Sequence, residues 1–254
     1  MVYFLSDAHL GSRLIKDQRA HEKKLVDWLD QVKTDATTII LLGDIFDFWF
    51  EYRTVVPKGF TRFLGKLGEL VDNGIEIHFF TGNHDIWAFD YFEKEIGMIV
   101  HHGPATMEFG GKKFYLAHGD RLDSRDKGFK IIQKIFHSKT AQELFRLIPP
   151  QLGQGFGYNW SKRNRKKILH IENKYLGENK EFIVIFAKKY AAAHDVDFLV
   201  FGHRHILLDL QAKDQKRIII LGDFVSIFSY GVFDGKDFRL ECIEDASKDA
   251  IYFH

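Results

Sequence analysis

Short apolar runs rich in β-branched and aromatic residues recur along the chain, and several of them end on a polar block. VYFLS, TTIILL, IEIHFF, KKFYLA and VDFLVF predict strands over 2–6, 37–42, 75–80, 112–117 and 197–201. Helical spacing fills the gaps between the first three. Leu25, Trp28, Leu29 and Val32 predict a helix over 17–33, and a second covers 58–73, closed by Asn73-Gly74. A short helix over 88–96 stops at Gly97, strands follow over 98–102 and 104–109, and Gly110-Gly111 signals a hairpin into 112–117. From 124 to 194 the texture is helical: Phe129, Ile132, Ile135 and Phe136 recur at helical spacing, then Leu144, Phe145, Leu147 and Ile148. Pro149-Pro150 and the glycines of 153–157 interrupt this pattern, which resumes over 160–176 and 180–194. Strands return over 206–212, 216–221, 228–233 and 237–243.

Strand–helix alternation up to residue 97 argues for parallel strands, and the strand-rich tail for antiparallel additions. Two packed mixed sheets with helices outside satisfy both, an α/β architecture. Residues 1–123 and 195–254 would form the core, and 124–194 a helical insertion.

Composition narrows the picture a little. With 254 residues, a net charge of +1 and 45% hydrophobic content, this is an ordinary globular chain with no global field drawing it to nucleic acid. The single cysteine, Cys242, excludes an internal disulfide framework and a cysteine-based zinc site, and reads as a buried strand residue. MVYFLSDAHL reads as a strand, not as a signal peptide, and no apolar run is long enough to span a bilayer, so a cytoplasmic protein is expected. The Asn159-Trp160-Ser161 sequon therefore has no meaning.

The polar blocks carry the chemistry. They are Asp7-Ala8-His9, Gly43-Asp44-Ile45-Phe46-Asp47, Gly82-Asn83-His84-Asp85, Ala117-His118-Gly119-Asp120 and Gly202-His203-Arg204-His205. Each lies at the C-terminal lip of a predicted strand, where open α/β sheets gather ligands. Taken singly, a histidine there is a hydrogen-bonded structural residue and an aspartate a turn former. Five blocks in series point instead to a pair of divalent cations. Asp7 and His9, two residues apart, can face one side. Asp44 can bridge two ions, and Asn83, His118 and His203 can complete one shell, with His205 in the other. Two such ions, roughly 3.5–4 Å apart, clamp an in-line displacement at phosphorus. Carboxylate, amide and imidazole donors suit Mn²⁺, Zn²⁺ or Fe. His84 could act as proton or hydrogen-bond donor to a leaving oxygen. Asp47, Asp85 and Asp120 are placed to orient imidazoles from behind. Asp223, in a second Leu-Gly-Asp, has no paired histidine in the sequence and reads as a turn residue.

These blocks resemble the calcineurin-like metallophosphoesterase superfamily, whose pattern is D-x-H, G-D-x-x-D, G-N-H-[DE], a histidine before Gly or Ala, and G-H-x-H. The resemblance implies a dimetal hydrolase on a β-sandwich. Asp44 would bridge, one ion would take Asp7, His9 and His205, and the other Asn83, His118 and His203. Within the superfamily, Val2 to about Phe224 is most similar to the UDP-2,3-diacylglucosamine hydrolase family of lipid A biosynthesis. FLSDAHLG, GDIFDFW, HGDRLDSRDKGF and a helical segment carrying WSKRNRKK bear this likeness. It implies Mn²⁺-dependent cleavage of a nucleotide-linked glycolipid at the inner face of the membrane, releasing UMP. Its best-known members have Arg where this chain has His84. That leaves open a related enzyme acting on another nucleotide or phosphodiester. A non-catalytic scaffold is disfavoured, because all seven ligands are present.

Substrate contacts are expected from the remaining polar and aromatic positions. Arg121, Asp123, Arg125 and Asp126 could hold sugar or phosphate, or simply pair at a helix start. Ser161, Asn164 and Lys167, at three-residue spacing, share one helical face. Phe129 and its neighbours could line an acyl pocket, with Trp49, Phe50 and Tyr52 as an exposed opposite wall.

Overall fold

The computed structural model describes residues 1–122, 134–172, 174–243 and 250–253, the side chains of 162–172 and 250–253 excepted. Among the described residues, twelve strands form two six-stranded sheets. They are β1 (Val2–Leu5), β2 (Thr38–Leu42), β3 (Glu76–Phe80), β4 (Ile99–His101), β5 (Ala105–Phe109) and β6 (Lys112–Ala117), followed by β7 (Phe198–Phe201), β8 (Leu207–Gln211), β9 (Arg217–Leu221), β10 (Ser229–Phe233), β11 (Phe238–Cys242) and β12 (Ala250–Phe253). The first sheet runs β11-β10-β1-β2-β3-β4 and the second β12-β8-β9-β7-β6-β5.

The apolar runs are buried on both faces, which is why they read as continuous rather than alternating. On β1, Val2 and Phe4 point between the sheets and meet Phe114, Leu116, Phe198 and Val200. Tyr3 and Leu5 point outward beneath helices α1 (Gln18–Val32) and α2 (Thr61–Asp72). The outer face of the second sheet is covered by α5 (Phe182–Ala193), through Ile183, Val184, Ala187 and Ala191. Helices α3 (Lys139–Arg146) and α4 (Pro150–Glu172) precede it between β6 and β7.

Several expectations are refined. β1 to β4 are parallel and β10 and β11 antiparallel, as anticipated. The tail is not wholly antiparallel, because β7 and β9 run parallel to β6 and each other. Helix α2 starts at Thr61 because Phe60 is left-handed, and Glu22 from α1 accepts from the Arg62 and Phe63 amides at 2.9 and 3.2 Å. In place of a helix over 88–96 there is one π-helical turn, Phe92–Ile96, ended by left-handed Gly97. Cys242 lies on β11 but is only half-buried.

Candidate metal centre

The C-terminal ends of β1, β2, β3, β6 and β7 converge on one edge of the sandwich, and all five blocks meet there. The turns are laced together by backbone: Asp7 N–H donates to Gly43 O, His9 N–H to Asp44 O and Gly202 N–H to His118 O, each at 3.0 Å. Two glycines are required by close approach. A Cβ on Gly82 would lie 2.2 Å from Asp44 Oδ1, and one on Gly202 would lie 2.7 Å from Asp7 Oδ2. Asp7, His9, Asp44, His203 and His205 all have positive φ, between 45° and 70°. Such residues are strained and cluster where function holds them.

Among the described residues three overlapping groups of donors result, and His9, Asp44 and His84 form the middle one, flanked by two others. Asp7, His9 and His205 form one, with His205 Nε2 at 3.3 Å and His9 Nε2 at 3.6 Å from Asp7 Oδ1. Asp44, His118 and His203 form the other, with His118 Nε2 3.3 Å from Asp44 Oδ2. Asp44 also reaches toward the first group, its Oδ2 being 4.0 Å from His9 Nε2, so it stands between the two. Asp7 Oδ1, Asn83 Oδ1 and His118 Nε2 are buried and accept or donate no hydrogen bond. Buried polar atoms without partners are costly, and those of Asp7 and His118 lie among the carboxylate and imidazole donors. The residues therefore fit a pair of divalent cations. The electrostatics agree. Burial alone would raise Asp7, but His205 and His9 hold its carboxyl well below the usual range. Burial likewise opposes charge on His205, yet Asp7 and Asp223 push it up to about 10. His203 falls to about 3 through burial and the neighbouring His118. A cation satisfies the same field.

The imidazoles are held from behind. His118 Nδ1–H donates to Leu42 O at 2.9 Å, which turns Nε2 toward Asp44. His84 Nδ1–H donates to Asp47 O at 2.8 Å, leaving Nε2 4.0 Å from Asp44 Oδ2. Asp47 Oδ1 lies 3.6 Å from His9 Nδ1, as expected of an orienting carboxylate. Asp85 does something else. It faces backbone rather than imidazole, accepting from the Gly82, Ile45 and Phe46 amides at 2.7, 2.8 and 3.3 Å. Its carboxyl, raised to about 7 by burial and by Asp44, fastens two ligand loops together. Asp120 is buried, with the guanidinium of exposed Arg121 4.0 Å away, and burial raises its carboxyl too.

Asp223 corrects the reading as a simple turn former. Its Oδ1 does cap a turn, accepting from Val225 and Ile227 amides at 2.8 and 3.1 Å. Its Oδ2 lies 3.3 Å from His205 Nδ1, so the paired histidine sits across the antiparallel β8–β9 pair, just ahead of β8. A second Leu-Gly-Asp at a strand end was the available signal. Trp49, Phe50 and Tyr52 are corrected as well. They are not an exposed patch but buried, Trp49 with 0% exposure. Trp49 packs on Phe46 and Phe92 and donates to Glu51 at 3.0 Å. Phe50 and Tyr52 join Phe48, Ile86 and Trp87, against which Phe136, Phe145 and Tyr158 pack. Ser161 on α4 is buried and its hydroxyl makes no hydrogen bond. Asp123, Arg125, Asp126 and Phe129, and the side chains of Asn164 and Lys167, lie outside the described residues.

Residues 1–207 match the calcineurin-like phosphoesterase family, and the chain belongs to that family of metal-dependent hydrolases. Over 256 residues it is 44% identical to a UDP-2,3-diacylglucosamine hydrolase from Porphyromonas gingivalis, covering 96% of this chain and 98% of that one. It is also similar to proteins of the same name from Pseudomonas putida, 26% identical over 88% of this chain and 91% of that one, and from Neisseria meningitidis serogroup B, 27% identical over 80% and 81%.

Proposed function

We propose that this chain hydrolyses the pyrophosphate of UDP-2,3-diacylglucosamine, giving UMP and 2,3-diacylglucosamine 1-phosphate. The observation that carries the reading is 44% identity along nearly the whole length of a protein of that name, in a chain whose five ligand blocks converge. Asp7, His9 and His205 would hold one cation, Asn83, His118 and His203 the other, and Asp44 both. Mn²⁺ is the ion we favour for this oxygen and nitrogen donor set. Two such ions supply an activated water and neutralise charge on the phosphoryl oxygens. The protein orients the reaction. His84 is fixed through Nδ1 with Nε2 toward Asp44, and as an imidazolium the ring would donate from Nε2 to the departing phosphate oxygen. Asp85 and Asp223 hold the loops that carry the ligands.

The segment of 124–194, proposed as a cap, supports a lipid substrate. Leu147 at the end of α3 and Leu152 on α4 are 79% and 65% exposed, and Phe156 on α4 is 55% exposed. Apolar surface of that kind marks a contact site. We place it against acyl chains and the cytoplasmic face of the inner membrane. Among the described residues no helix is long and apolar enough to cross a membrane.

The test is UMP release from UDP-2,3-diacylglucosamine by purified protein with Mn²⁺. Release that stops on chelation supports the proposal. A second reading rests on His84: cleavage of a nitrophenyl phosphodiester without release of UMP from the lipid would favour another phosphodiester substrate.

A further inference from the structure

The loop 202–205 carries a donor to each cation group, His203 to one and His205 to the other. Both are left-handed, at φ 70° and 46°, and each non-glycine residue in that region costs about 1–2 kcal/mol. Such a zigzag persists only where its surroundings over-determine it. Two restraints act on the histidines themselves: His205 Nδ1 faces Asp223 at 3.3 Å, and the His203 amide donates to Asp7 Oδ2 at 2.8 Å.

The third lies on the residue between them. Arg204 is buried, turned toward a different partner, and engages Glu181 with a two-pronged contact. Its Nε donates to Oε1 at 2.8 Å and its Nη2 to Oε2 at 3.2 Å. Nη2 also lies 3.3 Å from Lys174 O. Glu181 has no exposure at all and occupies the N-cap position of α5, yet its side chain caps no helix amide. Its carboxylate is committed to Arg204 instead. The next two residues of α5 continue the contact. Phe182 sets its ring edge-on to His203, centroids 6.2 Å apart, and Ile183 abuts Gly119, beside His118.

We infer that Arg204 and Glu181 are a positioning pair that locks His203 and His205 at the two cation sites by clamping their loop to the start of α5. The inference rests on the dimetal reading but not on the identity of the substrate. Neither residue touches a reacting atom. Removing one partner leaves a buried charge alone, which is strongly destabilising locally and frees the strained loop to relax. Both cations should then bind more weakly together, because the loop serves both.

The experiment is Mn²⁺ titration of metal-free protein by calorimetry, with thermal melts before and after loading. The variants are Glu181→Gln and Arg204→Lys, the latter retaining charge while losing the fork. Changes behind metal ligands lower affinity by about 10–100-fold. We expect a loss of that order at both sites in Glu181→Gln, a smaller one in Arg204→Lys, and a reduced gain in melting temperature on loading. A purely architectural pair would lower the melting temperature equally with and without Mn²⁺ and leave both affinities unchanged; that result overturns the inference. Wild-type protein that takes up no Mn²⁺ overturns it too, along with the dimetal reading. Failure to release UMP from the lipid would count against the substrate alone.

Discussion

Asp223→Asn separates two jobs done by one carboxylate. Oδ1 caps the turn, accepting from the Val225, Ser226 and Ile227 amides at 2.8, 2.5 and 3.1 Å. Oδ2 faces His205 Nδ1 at 3.3 Å and accepts from Ser226 Oγ at 2.8 Å. An asparagine can keep its amide oxygen in the first position. Its NH₂ then occupies the second, where it needs a lone pair on Nδ1. That drives the imidazole proton onto Nε2, the nitrogen nearest Asp7 and the one a cation would use. The turn survives and the ligand has the wrong tautomer. Losing an orienting partner of this kind lowers metal affinity about 10–100-fold, or about 1.4–2.7 kcal/mol. Calorimetric Mn²⁺ titration should show that loss at the Asp7, His9 and His205 site, with the other site little changed and the metal-free melting temperature close to wild type. Asp223→Ala should add a stability loss, since three turn amides lose their acceptor at about 1 kcal/mol or more each. Two unaltered binding steps in Asp223→Asn would refute the tautomer argument.

Two more outcomes follow from the same geometry. Glu51 accepts from Trp49 Nε1 with one oxygen and from the Phe89, Asp90 and Tyr91 amides with the other. In Glu51→Gln the amide oxygen can serve the three backbone donors, which leaves NH₂ against the buried indole N–H. Urea unfolding should show a loss of about 1–3 kcal/mol, and an unchanged midpoint would contradict the hydrogen-bond assignment. His84→Gln can keep the contact to Asp47 O but cannot donate an acidic proton. Turnover should fall by about 10²-fold or more while two Mn²⁺ still bind; loss of an ion instead would make His84 a ligand.

Much of this was legible in the sequence because motif and strand end coincide. An apolar run closing on Asp7, Asp44, Asn83, His118 or His203 announces both a buried strand and the lip where ligands gather. What stayed hidden depends on distant partners. Asp223 meets His205 only because β8 and β9 fold back on each other. Arg204 reaches Glu181 only after the helical segment returns to the sheet. Trp49 and Phe50 misled for a related reason. Aromatic residues in a loop have no periodicity to show which way they face, and the acceptor that buries Trp49 lies on the loop itself, at Glu51. The parallel placement of β7 beside β6 was hidden by the long helical stretch between them. The motif reads Asp85 as an orienting partner of a ligand, whereas its carboxylate fastens backbone.

The most direct test of the central claim is anomalous diffraction from crystals soaked in Mn²⁺. The account predicts two peaks at the strand lip, one among Asp7, His9 and His205 and one among Asn83, His118 and His203, both within reach of Asp44. A single peak, or none, in crystals whose Mn²⁺ is accessible would contradict it.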